Sequence, residues 1–218
     1  MTYPANHHTK AIHVNATWGK RCNKLLFVTR TADETLPTLI LNVTDGRRQL
    51  GDKTREAFDH AYKHYLADYH WFLKADDDTY VIMENLRYLL SAQDHNSSVF
   101  FGQTFSLYAK QGYPSGGAGY VASREALRRY GRRNKRTSGC EFNSGEEDID
   151  FGICMESLGV RFEDSLDAIG RTRFHCFRTG VHISGSFPKW FHSHDKYKST
   201  KQVAHTLCYC RLRVDPSV

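Results

Sequence analysis

The sequence predicts an α/β fold, a sheet covered by helices on both faces, and three observations carry that expectation. Short apolar runs of strand length alternate along the chain with stretches whose apolar residues recur every three or four positions. The 218 residues include 40% hydrophobic and 13% aromatic side chains, ordinary values for a folded protein with a sizeable core. No repeat and no linker divides them, so one domain is the economical organisation.

Taken in order, Lys24–Thr29 and Leu39–Val43 read as strands. In Asp52–Tyr69, the residues Ala57, Phe58, Ala61, Tyr62, Tyr65 and Leu66 share one face of a helix, with Asp52 as its N-cap. His70–Ala75 has the length and aromatic content of a buried strand. Val81–Leu90 reads as a helix, Val99–Gly102 and Gly117–Ala122 as strands, and Ser123–Tyr130 and Glu147–Leu158 as helices.

The strand His70–Ala75 runs straight into Asp76, Asp77 and Asp78. Ligands of open α/β sheets bind beyond strand ends. Carboxylates two apart in an extended segment point the same way, so Asp76 and Asp78 are candidate ligands for one hard divalent cation with positions left over for a diphosphate. Asp77 then faces elsewhere. The competing reading is an acidic turn whose side chains bond their own backbone ahead of the next helix.

Two further blocks bear on the same site. Gly116-Gly117-Ala118-Gly119 lies between a Pro-Ser turn and an apolar strand. It serves a turn needing positive φ, or lets a ligand approach the backbone at Gly117, and it has neither dinucleotide nor Walker spacing. Ser144–Asp150 opens a helix with four acids, which complement the helix dipole unless one does chemistry.

A net charge of +6 and six basic residues within Arg128–Arg136 raise the question of nucleic acid. The run follows a helix and lacks interleaved stacking aromatics, so cations offsetting a helix C-terminus explain it and nucleic-acid binding is not expected. Six cysteines and three Asn-x-Ser/Thr sequons, at Asn15, Asn42 and Asn96, suit an oxidising lumen. A Cys140–Cys154 bridge would rigidify the segment holding Asp148, with free buried thiols as the alternative. Cys208 and Cys210 lack a second pair at zinc-ribbon spacing.

Four blocks in order carry a resemblance: His13–Cys22, Trp71–Tyr80, Gly116–Val121 and Glu147–Gly152. Over roughly residues 1–190 the chain resembles the core-1 β1,3-galactosyltransferases of glycosyltransferase family 31. The resemblance implies a GT-A type, Rossmann-like sandwich with a mixed, mostly parallel sheet flanked by helices. It also implies an inverting enzyme that moves galactose from UDP-galactose to GalNAc-Ser/Thr glycoproteins with Mn²⁺ held by Asp76 and Asp78. Asp148 falls on the family's general base. Asp77 is expected at the ribose or behind the metal, and Trp18, Lys20 and Arg21 toward the nucleotide, with core packing and a solvated loop as their other readings. The family's members are Golgi lumenal, type II membrane-anchored proteins, and a homodimer is compatible with the resemblance. No stretch here approaches the ~20 apolar residues of a membrane span.

The resemblance weakens at both ends. Met1–Pro4 matches the end of the family's first core strand, so residues 1–190 are expected to form the catalytic domain lacking that strand. Residues 191–218 read as a divergent or truncated segment. The family's Ser-Phe-His-Tyr stretch, whose His is the third manganese ligand, is not found there. His192, His194 and His205 are the candidate substitutes, although packing and surface histidines are commoner than ligands. An underligated cation and weak transfer are therefore expected. The rival readings are a non-catalytic, chaperone-like lumenal relative and a β1,3-N-acetylglucosaminyltransferase.

Overall fold

The computed structural model describes residues 1–134, 139–197 and 209–211. The chain opens with helical turns at Pro4–Asn6, His7–Ala11 and Trp18–Arg21 around a short helix, α1 (Ile12–Ala16). Then come β1 (Phe27–Thr29), β2 (Thr38–Ile40), α2 (Leu50–Tyr65), β3 (Trp71–Lys74), β4 (Thr79–Val81) and α3 (Met83–Ser91). The strands β5 (Val99–Gly102), β6 (Thr104–Phe105), β7 (Tyr113–Pro114) and β8 (Tyr120–Ser123) lead into α4 (Arg124–Gly131). The remaining described elements are α5 (Glu147–Ser157), β9 (Arg161–Phe162), α6 (Thr179–Ser184), α7 (Lys189–His194) and β10 (Tyr209–Arg211).

The fold is the expected α/β arrangement around a mixed sheet. Four strands are ordered β3-β8-β5-β9, and β1 pairs in parallel with β2. The parallel majority anticipated for the sheet is not what these four strands show. Only β5–β9 runs parallel, while β8 is antiparallel to both β3 and β5. The reason lies in the connection: the chain leaves β5 through the β6–β7 hairpin and doubles back into β8, with no crossover helix to restore its direction.

Alternation along these strands builds a core on each face. Phe72, Phe100, Tyr120 and Ala122 pack with Phe58 of α2, Leu127 and Tyr130 of α4, and Phe151 and Met155 of α5. Leu73, Phe101 and Val121 pack the other way, with Trp18 and with Leu86 and Leu89 of α3. The central strands β5 and β8 are thereby buried on both sides, which is why their sequences are runs of largely apolar residues rather than alternations.

Several boundaries differ from the sequence reading for identifiable reasons. Helix α2 begins at Leu50, after the tight turn Arg47–Gln49, so Asp52 sits in its first turn and pairs with Arg55 at 2.7 Å instead of capping it. Val81 ends a strand because β10 pairs antiparallel with β4, Tyr209 opposite Val81. The Gly116–Ala118 turn delays β8 to Tyr120. Three residues of the segment read as divergent thus return beside the acidic triplet.

The basic run is largely absorbed by the fold. Ser123 caps α4, its hydroxyl accepting from the Ala126 N–H at 3.1 Å. Arg128 and Arg129 pair with Glu125, and the buried Arg133 grips both carboxylate oxygens of Asp59 at 2.6 and 3.1 Å. Lys135 and Arg136 lie outside the described residues. Cys140 and Cys154 form a disulfide that ties the approach segment to the buried face of α5. On the same helix Gly152 permits close contact with β7, since a Cβ there would stand 2.4 Å from the Tyr113 Cβ. Helix α5 and β7 are therefore held in close contact.

Candidate active site

The acidic triplet occupies a turn rather than an extended continuation of β3. The Thr79 N–H closes the turn onto the Asp76 C=O at 3.1 Å, and the Asp76 N–H reaches the Thr79 hydroxyl at 3.3 Å. The three carboxylates take different sets of partners. Asp77 is the most enclosed, its side chain 8% exposed against 28% for Asp76 and 12% for Asp78. It accepts from the Thr2 hydroxyl at 2.7 Å and from the Asn6 amide at 2.8 Å, which anchors the N-terminal turns to the site. Lys10 Nζ also lies 3.8 Å from Asp77 Oδ1, so Asp77 shares that cation with Asp78.

Each outer aspartate carries a cation. Lys74 Nζ lies 2.9 Å from Asp76 Oδ1, and Lys10 Nζ lies 3.5 Å from Asp78 Oδ2. Two oxygen-only ligands that already attract positive charge fit a hard divalent cation with several remaining positions. Among the described residues no cluster of three or more His, Cys, Asp or Glu is arranged to hold a metal. His192 packs on Phe187 and Phe191, and His194 bonds the Trp190 C=O at 2.7 Å. Neither is brought into such a cluster, and His205 lies outside the described residues.

Lys74 links the triplet to the second acidic block. As the last residue of β3 it is buried, 3% exposed, and its ammonium also lies 3.3 Å from Glu147 Oε2 and 3.4 Å from the Gly116 C=O. Burial opposes its charge, but Asp76 and Glu147 more than offset that cost and push its pKa up. Glu147 accepts from the Tyr120 hydroxyl at 2.5 Å. Burial raises the pKa of Glu147 while Lys74 draws it back, and burial likewise raises that of Tyr120.

Next to Glu147 in the first turn of α5, Asp148 accepts from the Gly116 N–H at 2.9 Å through Oδ2. Burial raises its pKa, with the Gly116 bond and the charge of Lys74 opposing the rise. A carboxylate so placed is a stronger base than a solvated one. A Cβ on Gly116 would stand 3.1 Å from Glu147 Oε2, a tight contact that the Glu147 side chain would have to relieve. Gly117 stands half-buried at the outer side of the same turn, its C=O accepting from the Thr79 hydroxyl at 3.4 Å.

Asp76, Asp148 and the glycine turn are thus joined by one buried network. Trp18 is in the core, 4% exposed, its indole N–H donating to the Thr79 C=O at 3.1 Å. Its packing reading describes that position. Lys20 is exposed, and Arg21 turns to Glu84 at 2.5 Å on the surface. Sequence reasoning missed Lys10, Lys74, Glu147 and Tyr120 as contributors. Only Lys74 had a local signal, a charge on the last position of an otherwise apolar strand.

A model of the Fringe-like family matches residues 2–176. The glycoprotein-N-acetylgalactosamine 3-beta-galactosyltransferase 1 of Xenopus laevis is 45% identical over 201 residues, covering 90% of this chain and 56% of the frog protein. A beta-1,3-glucosyltransferase of Mus musculus is 31% identical over 150 residues, 67% of this chain and 30% of the mouse protein. The chain therefore spans about half the length of the first relative and less of the second.

Proposed function

Because this chain belongs to the Fringe-like family, we propose that it is an inverting glycosyltransferase moving galactose from UDP-galactose to the 3-OH of protein-linked GalNAc. The observation that carries the reading is the buried network holding Asp148 and the triplet on either side of the Gly116 turn. The choice of sugar and acceptor is supported by the printed name of the frog relative.

In this reaction Asp148 takes the proton of the acceptor hydroxyl as that oxygen attacks the anomeric carbon. The bond from that carbon to the diphosphate breaks on the opposite face, and UDP departs with the electron pair. Its Gly116 hydrogen bond fixes one carboxylate oxygen of Asp148, while Glu147, locked to Lys74 and Tyr120, fixes the helix turn that carries it. Manganese, when bound, would be held by Asp76 and Asp78 and would offset the charge growing on the leaving diphosphate. We assign Lys10, rather than Lys20 or Arg21, as the cation facing the phosphates, because it already lies beside Asp78. Gly117 leaves room for the sugar at the turn.

We place the protein in the Golgi lumen, an assignment supported by the Cys140–Cys154 bridge. No helix among the described residues is long and apolar enough to cross a membrane.

Calorimetry with UDP and Mn²⁺ tests the metal assignment. Asp78→Ala is expected to abolish manganese-dependent UDP binding, as is Asp76→Ala. Unchanged affinity in both variants, or parental binding insensitive to chelator, removes it. Transfer to a GalNAc-threonine peptide from UDP-galactose, but not from UDP-glucose or UDP-GlcNAc, distinguishes the proposed activity from that of sister transferases.

A further inference from the structure

Of the three Asn-x-Ser/Thr sequons, the fold leaves one fully open. Asn42 and Thr44 are both exposed, while Val43 between them is buried, so the Asn42 amide and the Thr44 hydroxyl both face solvent. Neither side chain makes a hydrogen bond among the described residues. The loop itself is anchored on either side, by the Leu41 N–H on the Thr29 C=O at 2.9 Å and by Lys53 on Asp45 at 2.9 Å.

An acceptor sequon needs its hydroxyl as well as its amide, and the other two have one or both engaged. Asn15 is half-buried within α1, and the Thr17 hydroxyl is turned back onto the His13 C=O at 2.7 Å. Asn96 is exposed, but its amide oxygen accepts from Arg124 at 3.1 Å and its backbone N–H donates to Asp94 at 2.9 Å. Ser98, which carries the hydroxyl of that sequon, is 8% exposed.

Beside Asn42 lies a surface that a glycan would cover. The Phe27 N–H bonds the Pro37 C=O and the Leu41 N–H bonds the Thr29 C=O, so Pro37, Leu39 and Leu41 turn toward β1. Thr38 and Ile40 therefore turn their N–H and C=O groups the other way. Among the described residues no second strand pairs with β2, and the Ile40 side chain is 54% exposed. An open edge carrying an exposed apolar residue invites pairing with another chain. A bulky, hydrated glycan two residues beyond Ile40 obstructs that approach.

We propose that Asn42 is an N-glycosylation site and that its glycan shields the open edge of β2. The assignment rests on the lumenal placement given under the proposed function. In the modification a bond forms between Asn42 Nδ2 and the anomeric carbon of a polyprenyl-diphosphate-linked oligosaccharide. The bond from that carbon to the diphosphate oxygen breaks, the diphosphate leaves with the electron pair, and the amide gives up one proton to a base of the transferring enzyme.

The test directs the full 218-residue chain into the secretory lumen of animal cells with an added leader, which supplies the compartment. Failure there counts against Asn42 and leaves the lumenal placement standing. Mobility is read before and after peptide N-glycosidase, on secreted and retained chain alike, and needs no sugar transfer by the protein itself. One glycosidase-sensitive shift is expected, with heavy-oxygen-labelled deamidation at Asn42 and none at Asn15 or Asn96. Asn42→Gln and Thr44→Ala should each abolish the shift, and Thr44→Ser should keep it. An unmodified Asn42, or as much glycan on Asn15 or Asn96, overturns the site assignment. On a sizing column the Thr44→Ala chain should elute at larger size as its concentration rises, whereas the glycosylated parent should not change. Identical elution of the two at every concentration overturns the shielding role.

Discussion

Asp148→Asn should lower turnover about 10²–10⁴-fold while leaving UDP affinity within a few-fold, the partition expected when a base acts only in the chemical step. Asparagine keeps an oxygen for the Gly116 N–H but loses the acceptor that Oδ1 offers the Ile149 N–H at 3.0 Å, so a melting curve taken beside the rate separates loss of the turn from loss of proton acceptance. Single-turnover transfer from labelled UDP-galactose to a GalNAc-threonine peptide gives the rate even when turnover is slow. In the parent the acid limb of kcat/KM should lie above the ordinary aspartate range, because burial raises the Asp148 pKa and the carboxyl must be ionised to act. That limb should vanish in the variant. A variant as active as the parent refutes the assignment. Asp150 is the neighbouring control: it accepts from the Ser144 N–H, at 3.1 Å through Oδ2, a bond that an asparagine oxygen can also accept, so Asp150→Asn should retain both fold and turnover.

Lys74→Met should cost about 3–5 kcal/mol of stability, since it leaves Glu147 and Asp76 without their shared buried cation. The effect exceeds that of removing a surface ion pair because Lys74 and Glu147 are only 3% and 5% exposed. The diagnostic is the pair. Lys74→Met with Glu147→Gln should be less destabilised than the sum of the single variants, because the second change neutralises a charge that the first stranded. Urea unfolding of the four chains measures it. Additive losses would mean that the two groups do not communicate and that the link from triplet to base helix is only spatial.

The sheet strands were legible where a run of apolar residues ended abruptly, as Val99–Gly102 and the approach to Asp76 show. So was the helix bearing Asp148, whose acidic first turn precedes an apolar stretch. The helical turns of Pro4–Arg21 were not legible, because they have little apolar periodicity of their own. Contacts distant in sequence shape them, such as the Trp18 indole on Thr79 and the Asn6 amide on Asp77. Lys74 illustrates the same limit within the site. Its position was visible in the motif, but its partner Glu147 looks no different in sequence from Glu146, which is exposed. Burial, not residue type, separates the two.

The clamp on Asp77 has a consequence for descent. Asp76 and Asp78 lie against the ammonium groups of Lys74 and Lys10, whereas Asp77 is held chiefly by the hydroxyl of Thr2 and the amide of Asn6, 75 and 71 residues away. Three adjacent letters of one motif therefore answer to two unrelated pressures. Where a relative has lost the donors at positions 2 and 6, its middle aspartate is released and should drift to asparagine or serine, while its two flanking neighbours stay acidic. An alignment in which position 77 varies independently of positions 2 and 6 would contradict this, and a relative with all three changed together would carry an intact pair of outer carboxylates on a differently anchored amino-terminal arm.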